Sequence, residues 1–363
     1  MTPVVTLAAL RRHAIARSLF TPTTLPRAIA KLGFVQADPI RAPARAQDLT
    51  LRHRVREYRA GDLERRYPRL AVEEDFFVNY GFLPREHQRL LHPRAASAGW
   101  SPTTRRRAQE VLAFVREHGA VHPREVDDHF AHGSVTNYWG GASSVTTHLL
   151  DAMHYRGLLR VARRDSGIRV YAVREDPPAP ADAATRRQHQ DALVDVIVRK
   201  YAPLTAAGLG GLVWRLRAGA PRFAGDLPRT LARAKARLAH ARIDGVDWYW
   251  PEGERPQSPR HAPDDDVRLL APFDPIVWDR RRFRLFWGWD YRFEAYTPAP
   301  KRKLGYYALP LLWRDEVIGW GNLALQDGKL ASTIGYTTGA PREPVFRRGL
   351  DAELERMRVF LRC

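Results

Sequence analysis

Apolar residues recur at helical spacing through the first part of the chain. Residues 4–32 predict two helices, the second of which ends at Gly33, a typical helix C-cap. The apolar positions are Leu7, Leu10, Ile15 and Leu19 in the first helix, and Leu25, Ile29 and Leu32 in the second. Residues 46–66 show similar spacing and predict a further helix.

The pattern between residues 105 and 175 predicts a winged helix-turn-helix. Helical spacing predicts three helices, the last of which ends at Gly157. Two apolar runs follow at 158–162 and 168–173, joined by a turn at 163–167. Three helices followed by a β-hairpin are typical of this DNA-binding motif.

A weaker copy of the same plan covers residues 185–252. Helices are predicted at 188–200 and 228–241 and a strand at 246–250, but no wing is evident. A proline-rich linker at 177–182 precedes this copy.

The C-terminal part has a different pattern. Residues 268–340 alternate short aromatic and apolar runs with turns, which predicts an antiparallel sheet or small barrel, and residues 343–361 predict a closing helix. We therefore predict an α+β fold of tandem winged helix-turn-helix domains followed by a small, barrel-like, β-rich domain. The predicted domains are 1–100, 101–176, 185–252 and 265–363.

Charge narrows the range of partners. The formal net charge is +19, from 59 basic and 40 acidic residues, which favours a polyanion: nucleic acid first, and an anionic membrane second. Only six of the basic residues are lysines and 53 are arginines. Codon bias in a G+C-rich genome is therefore an alternative explanation of the arginine excess.

The rest of the composition favours the cytoplasm. The single cysteine, Cys363, cannot form a disulfide within the chain, which is typical of a reducing compartment. The sequence has no signal-peptide pattern and no run of 18 apolar residues, so we expect no membrane span. It also lacks a dimerisation signature, and we expect a monomer.

One short segment combines an amide and a carboxylate with apolar neighbours. Pro39 pushes Asp38 into an extended conformation, in which residues two apart point to the same side. We therefore expect Gln36 and Asp38 to face one space. A carboxylate repels a polyanion, so its presence indicates chemistry, such as activating water or stabilising a cationic transition state. The alternative is that Asp38 caps a turn and Gln36 is an ordinary polar strand residue.

Two basic clusters are candidate DNA contacts. In the wing of the second module these are Arg160, Arg163 and Arg164, which could reach phosphates; the alternative is a solvated hairpin. Near the C-terminus, Lys301, Arg302 and Lys303 precede Tyr306, and we expect them on a β-hairpin, where they suit phosphate binding beside a surface that stacks on bases. Arg280 is expected nearby on a neighbouring strand. Here the alternative is an edge strand kept soluble by its charges.

Metal and cofactor motifs are absent from the sequence. There is no cysteine pair, no H-E-x-x-H motif, no P-loop and no G-x-S-x-G elbow. We therefore expect neither a metal nor a cofactor.

Longer motifs resemble the family of winged-helix DNA glycosylases typified by AlkZ and YcaQ, over nearly the whole chain. The segments that match are LGFVQADPI at 32–40 followed by Ala44 and Arg45, LLAPFDP at 269–275, WDR at 278–280, YRFEAY at 291–296 and KRKLGYYALP at 301–310.

This resemblance implies three tandem winged helices and a β-rich part around a basic channel for double-stranded DNA. It implies excision of N7-alkylated purines, including one side of interstrand crosslinks. In that family a Gln-x-Gln or Gln-x-Asp motif supplies the chemistry, and Gln36 and Asp38 match the second form. Arg41 and Arg45, close after the motif, are further candidate DNA contacts.

The residues agree with that chemistry. An N7-alkylated guanine is already a cationic leaving group, so the enzyme has to stabilise the sugar cation and deliver water. A carboxylate can do both, and an amide can position the water. In the sequence the only lysine near the motif is Lys31, which favours a monofunctional glycosylase over a Schiff-base lyase.

The chain departs from the family at residues 76–84. Relatives commonly have a Trp-x-His-type motif there, whereas this chain has Asn79 and Tyr80, which could replace some of its hydrogen bonds. The rival class is a winged-helix DNA-binding protein or transcriptional regulator without catalysis. Such a protein has no use for an acid in its DNA channel.

Overall fold

The computed structural model describes residues 4–94, 99–131, 133–136, 142–175 and 182–363. The predicted linker at 177–182 lies outside them except for Asp182. The helices are α1 Leu7–Ser18, α2 Leu25–Leu32, α3 Ala46–Leu51, α4 Asp62–Arg66, α5 Arg85–Arg89, α6 Pro102–His118, α7 Pro123–Phe130, α8 Val145–Tyr155, α9 Ala183–Tyr201, α10 Ala206–Gly219, α11 Leu227–Arg237, α12 Arg280–Trp287 and α13 Pro344–Leu361.

Most of the strands are short. They are β1 Val35–Gln36, β2 Val72–Phe76, β3 Tyr80–Pro84, β4 Ala120–Val121, β5 Ser134–Thr136, β6 Ala142–Ser144, β7 Leu159–Asp165, β8 Ile168–Val173, β9 Leu204–Thr205, β10 Ala239–Ile243, β11 Val246–Trp250, β12 Val267–Leu269, β13 Leu309–Trp313, β14 Glu316–Gln326 and β15 Lys329–Tyr336.

The chain divides into two compact units. The first consists of Met1–Asp62, Val194–Val213 and Leu231–Cys363, and the second of Leu63–Leu193 and Trp214–Thr230. The four predicted domains stay a prediction.

The N-terminal helices of the first unit form as predicted. The Thr6 hydroxyl caps α1 by accepting a hydrogen bond from the backbone N–H of Ala9 (3.2 Å). Gly33 ends α2 in the left-handed conformation (φ 69°), which suits a residue without Cβ. The chain passes directly from this cap into β1.

The predicted helix over 46–66 is wrong in its middle. Helix α3 stops early, and Glu57 (φ 52°) and Gly61 (φ 85°) adopt left-handed conformations that a helix cannot contain. Between α3 and α4, the fully buried Arg54 makes two hydrogen bonds to Asp274, at 2.8 and 3.0 Å. Apolar spacing does not predict this arrangement, because a charged side chain occupies the core.

The helices and hairpin predicted for residues 105–175 are confirmed within the second unit. Helices α6, α7 and α8 precede the β7–β8 hairpin, which turns at Ser166 and Gly167, both with positive φ. Strand β4 completes a sheet of order β4-β8-β7. That these elements form a DNA-binding winged helix stays a prediction.

The helix predicted at 228–241 is too long, and a hairpin was missed. Helix α11 ends at Arg237, and β10 pairs antiparallel with β11 through a turn at Asp244 (φ 49°) and Gly245 (φ 76°). An Asp-Gly pair is a strong hairpin signal, so the sequence held the information. Strand β9 pairs with β11, giving the order β10-β11-β9.

The predicted antiparallel C-terminal sheet and closing helix are confirmed. The sheet runs in the order β12-β13-β14-β15. Helix α13 packs against β12, where the fully buried Glu353 accepts a hydrogen bond from the backbone N–H of Leu269 (2.8 Å) and pairs with Arg52. Residues 302–308 run as a loop into β13.

Candidate active site

The Gln-x-Asp motif lies at the end of a strand that is fixed on both sides. Phe34 and Val35 are fully buried, and β1 ends at Gln36. Asp38 follows in an irregular segment and is half-buried. Its backbone N–H donates to the side-chain oxygen of Gln47 on α3 (3.2 Å). The core therefore holds the motif from one side and α3 from the other.

The two carboxylate oxygens of Asp38 have different environments. Oδ1 accepts a hydrogen bond from the backbone N–H of Ile40 (2.9 Å). Asp38 therefore caps a turn, as in the alternative interpretation given under the sequence analysis. Oδ2 accepts no hydrogen bond from any residue that the structure describes. A turn cap and a chemical role are thus compatible, because one oxygen holds the backbone while the other is open to a ligand.

Burial makes the Asp38 carboxyl harder to ionise. Desolvation raises the pKa of Asp38, and the hydrogen bond from Ile40 opposes this shift. A carboxylate with a raised pKa is a stronger base than an exposed one, provided that it is ionised at the working pH.

The amide of Gln36 is oriented by a tryptophan distant in sequence. The indole N–H of Trp278 donates to Oε1 of Gln36 (2.8 Å). Because an indole nitrogen only donates, this contact assigns the amide oxygen to the Trp278 side and the NH₂ group to the opposite side. The Trp278 ring packs in turn against Tyr201, with ring centroids 5.2 Å apart.

A buried lysine, which the sequence analysis missed, contacts the backbone directly before β1. The ammonium of Lys200 donates to the carbonyl oxygen of Phe34 and lies 4.9 Å from the Phe34 ring centroid. Burial, reinforced by the Arg54 charge and opposed by Asp274, lowers the pKa of Lys200 to about 7. Lysine on α9 gives no local signal of this contact, since 166 residues separate the partners.

Two tyrosines from the β-rich part, Tyr296 and Tyr307, lie close enough to Asp38 to interact with its charge, and Tyr306 lies near Tyr296. Burial, and next the nearby Asp38 carboxylate, raises the pKa of both Tyr296 and Tyr307. Tyr306 acts on Tyr296 in the same way. Tyr296 is 69% exposed and Tyr306 is 44% exposed, whereas Tyr307 is buried. The carboxylate therefore lies near one exposed aromatic ring, that of Tyr296, and the exposed Tyr306 ring is close to Tyr296, as stacking against a base or sugar requires.

The loop that contains Tyr306 and Tyr307 is held in place by several hydrogen bonds. The Glu294 carboxylate accepts hydrogen bonds from the backbone N–H groups of Lys303, Leu304 and Gly305 at 2.7–3.3 Å. Gly305 (φ 120°) lies so close to Asn322 that a Cβ would fall 2.2 Å from its side-chain oxygen. Any other residue at 305 would displace the loop.

The prediction that Lys301, Arg302 and Lys303 lie on a β-hairpin is wrong. Lys301 ends a short 3₁₀-helix, Ala299–Lys301, and the next two residues lead into the loop. Pro300 has no N–H for a strand ladder, and proline is favoured at the start of a helix. The basic run is therefore on a turn.

The three basic side chains are nevertheless fully or partly exposed, and one of them contacts a tyrosine. Arg302 lies over the ring of Tyr306 (5.0 Å), and its Nε donates to the carbonyl oxygen of Thr297 (2.7 Å). The side chains of Lys301 and Lys303 are exposed and bond to no residue in the described part of the chain. Their ammonium groups remain available for an anion.

The prediction that Arg280 lies on a strand is also wrong. Asp279 accepts from the backbone N–H groups of Arg281 and Arg282 and starts α12, so Arg280 is the first helical residue. Arg280 is half-buried over the Tyr291 ring (4.5 Å), and desolvation lowers its pKa. A role of Arg280 in DNA binding stays a prediction.

Within the second unit, two of the three predicted wing arginines are held by carboxylates. Arg160 donates to Glu73 (2.9 and 3.1 Å), and Arg164 pairs with the fully buried Glu74. Among the residues that the structure describes, Arg163 pairs with the exposed Asp165 on its own hairpin alone (3.1 Å). Of the three arginines, Arg163 forms the weakest ion pair within the protein, since exposed pairs contribute little.

The remaining candidate contacts near the motif lie at the surface. Arg41 is exposed, and Arg45 is half-buried at the start of α3. Nothing in the structure tests their contact with DNA, which stays a prediction.

The departure from the family at Asn79 and Tyr80 maps to the β2–β3 hairpin. The backbone carbonyl of Asn79 accepts from the N–H of Phe77 in the turn (2.9 Å). Tyr80 packs edge-on against Phe76 (4.9 Å), lies under Arg169 (5.0 Å), and burial raises the pKa of its hydroxyl. Tyr80 thus belongs to the interior of the second unit.

Two general features of the described residues are also relevant. They include no group of three or more His, Cys, Asp or Glu that could hold a metal ion. None of their helices has the length and apolarity to cross a membrane.

Comparison with known proteins establishes the class. A family model for AlkZ-like DNA glycosylases matches residues 29–360. The chain therefore belongs to the AlkZ-like DNA glycosylase family, and it is a DNA-repair enzyme of the glycosylase class. Among solved structures, it is similar to the DNA glycosylase AlkZ of Streptomyces sahachiroi, with a TM-score of 0.63 and 12% identity over 99% of this chain and 97% of that chain. At such low identity the match shows a common fold.

Proposed function

We propose that this protein is a monofunctional DNA glycosylase that removes N7-alkylated purines from double-stranded DNA. Family membership supports the glycosylase class. The observation that carries the finer assignment is Asp38: a half-buried carboxylate with one oxygen that accepts no hydrogen bond from the described residues, near the exposed Tyr296, in a chain of net charge +19.

The proposed reaction needs little acid catalysis. Cleavage of the bond between C1′ and N9 sends its electron pair to the cationic purine, which leaves as a neutral base. Asp38 stabilises the developing oxocarbenium ion by its charge and accepts a proton from the water that attacks C1′. The Gln36 NH₂ group, oriented by Trp278, positions that water or the sugar.

Interstrand crosslinks through N7 present the same leaving group, so we include them as a second substrate class. The experiment is incubation with a duplex that carries one N7-linked crosslink, followed by denaturing electrophoresis. Strand separation that depends on Asp38 supports this assignment. If the crosslink stays intact although the enzyme is active on N7-methylguanine, the assignment is refuted.

The decisive test is excision of N7-methylguanine under single-turnover conditions, with alkali used to cut abasic sites. Asp38→Asn should lose on the order of 10²–10⁴-fold in rate and keep its affinity for DNA. Asparagine retains a side-chain oxygen for the Ile40 cap, so the substitution removes mainly the charge. Asp327→Asn is the matched control, because Asp327 is an exposed turn residue with φ 49° that asparagine tolerates equally well. Full excision by Asp38→Asn would refute the assignment.

The monofunctional character has its own test. Lys200 contacts the residue before the strand that carries the motif, but its amine is buried and bonded to the Phe34 carbonyl. We therefore expect strand cleavage only after alkali, and no covalent adduct with DNA in borohydride. A borohydride-trapped adduct that Lys200→Met abolishes would make the enzyme a lyase.

Contact with the DNA backbone is assigned to Lys301, Arg302 and Lys303. Replacing all three by alanine should weaken binding to damaged and undamaged duplex alike, and flatten the salt dependence by up to about three phosphates. Excision at saturating enzyme should change much less than in Asp38→Asn. Unchanged binding at several salt concentrations would show that the cluster only keeps this turn soluble.

The rival assignment, a non-catalytic regulator, predicts sequence-specific binding to undamaged DNA, whereas a glycosylase does not. We expect salt-dependent binding without sequence preference. Tight, salt-resistant binding to one palindrome, with no excision of any alkylated base, would favour the regulator.

A further inference from the structure

One buried hydroxyl group beside the motif has no hydrogen-bond partner among the described residues: that of Tyr307. The side chain is 3% exposed, and water does not reach the hydroxyl oxygen. Leaving a buried hydroxyl unpaired is costly, and such groups in native proteins call for an explanation. The partner must come from a neighbouring protein group, a buried water or a bound ligand.

Tyr307 is held in place by its neighbours. Its ring packs edge-on against Phe293, with centroids 5.2 Å apart. The next residue, Ala308, accepts a hydrogen bond at its carbonyl oxygen from the Tyr291 hydroxyl (2.7 Å). The preceding loop is fixed by Glu294 and Asn322. The phenol therefore has little freedom to turn towards solvent.

The ionisable groups around Tyr307 are Asp38, Tyr291, Tyr296 and Arg280. Asp38 is the only carboxylate among them, and its Oδ2 accepts no hydrogen bond from the described residues. Arg280 is a donor and cannot accept. The Tyr291 and Tyr296 hydroxyls are neutral and therefore weaker acceptors than an ionised carboxylate. Among these ionisable groups, the best acceptor for the Tyr307 proton is therefore Oδ2 of Asp38.

We propose that Tyr307 is a positioning residue for Asp38, and that its hydroxyl donates to Oδ2 when DNA covers the site. This inference rests on the proposed function, since it assigns Asp38 the catalytic role. In the free protein Asp38 is half-exposed and the two groups are not hydrogen-bonded, so the contact requires the Asp38 side chain to move towards the fixed phenol when the water around it is displaced. DNA seated on Tyr296 and Tyr306 would expel that water, and catalytic hydrogen bonds commonly tighten only in the complex.

Two consequences follow for Asp38. A carboxylate offers about four lone-pair sites, so Oδ2 can accept from Tyr307 and still take a proton from the attacking water. A hydrogen bond to the charged form also favours ionisation and opposes the desolvation that raises the pKa of Asp38. The phenol itself stays protonated, because burial and the nearby carboxylate raise the pKa of Tyr307.

The test compares Tyr307→Phe with Tyr291→Phe. Both changes remove one oxygen from a buried phenol, but the Tyr291 hydroxyl is already bonded to Ala308, whereas that of Tyr307 is unpaired. Tyr307→Phe should keep its Tm and its affinity for undamaged DNA. Its single-turnover rate on N7-methylguanine should fall by roughly 10- to 100-fold, and the acid limb of its pH–rate profile should move to higher pH. Tyr291→Phe should lose a few degrees of Tm and keep the acid limb of the wild type.

A second measurement needs no turnover. Affinity for a duplex that contains a cationic pyrrolidine abasic-site analogue is measured against pH in both variants and in Asp38→Asn. Affinity that depends on Asp38, with a midpoint moved to higher pH in Tyr307→Phe alone, supports the inference. If the wild type shows this behaviour but excises no N7-methylguanine, the lesion assigned under the proposed function is wrong and the role of Tyr307 stands.

Three results would overturn the inference. The first is a Tyr307→Phe variant with the wild-type rate and acid limb. The second is a loss of rate that follows a fall in Tm like that of Tyr291→Phe, which would make the role structural. The third is affinity for the pyrrolidine duplex that does not depend on Asp38, which would remove the catalytic role from which the inference starts.

Discussion

Replacing the buried Lys200 with methionine should change the stability of the protein by an amount that depends on pH. Lys200 is 4% exposed, and its pKa is lowered to about 7, first by desolvation and then by Arg54. Its ordinary value is 10.5. Between these two pH values the unfolded chain binds a proton at Lys200 that the folded chain does not. The free energy of unfolding therefore rises with pH across this window.

The size of the effect follows from the same two values. When the unfolded chain binds one proton more than the folded chain, the free energy of unfolding rises by about 1.4 kcal/mol per pH unit. Between pH 7 and 10.5 the free energy of unfolding therefore rises by roughly 5 kcal/mol at most. Methionine has a similar length and no charge, but it leaves the Phe34 carbonyl oxygen without its donor, at a cost of about 1–3 kcal/mol. Lys200→Met should therefore be more stable than the wild type near pH 7 and less stable near pH 10.

The assay is urea unfolding of both proteins at several pH values from 6 to 10. The difference in unfolding free energy should change sign within this range. Lys301→Met, at an exposed lysine, reports the effect of the same substitution where no buried contact is lost. A difference between Lys200→Met and the wild type that stays constant with pH would show that Lys200 is charged in the folded protein throughout, and would refute the reasoning.

Three further predictions concern the site and its surroundings. Because burial raises the pKa of Asp38 above 3.8, its ionised form is disfavoured in the folded protein. Asp38→Asn should therefore raise Tm at neutral pH and lose that advantage below pH 3.8, as measured by thermal unfolding. Trp278→Phe removes the indole donor to Gln36, so its loss of excision rate should not add to that of Gln36→Ala in a double-mutant cycle; additive losses would separate the two residues. Arg164→Ala removes the ion-pair partner of the buried Glu74 and leaves it with the more distant Arg169 charge, so it should cost about 3 kcal/mol in unfolding free energy; a loss below 1 kcal/mol would show that Arg169 replaces the lost partner.

The sequence by itself determined the features that depend on near neighbours. Gly33 predicts the end of α2 because a residue without Cβ adopts the left-handed cap at little cost. The turn signal around Gly167 predicts the β7–β8 hairpin for the same kind of reason. The Asp244-Gly245 signal was also local, and the missed hairpin was an error of interpretation. Gln36 and Asp38 were found from their spacing and from the resemblance to a family.

Tertiary structure alone decided which groups surround that motif. Trp278 orients Gln36 across 242 residues, and Lys200 supports Phe34 across 166. Neither contact has a local signal, because it depends on how separate elements pack. The availability of charged side chains could not be read from the sequence either. From the sequence, Arg160 and Arg164 are cations available for DNA, whereas in the folded protein they pair with Glu73 and Glu74. Net charge is additive along a chain, but the availability of each charge depends on distance and burial, which only the folded protein sets.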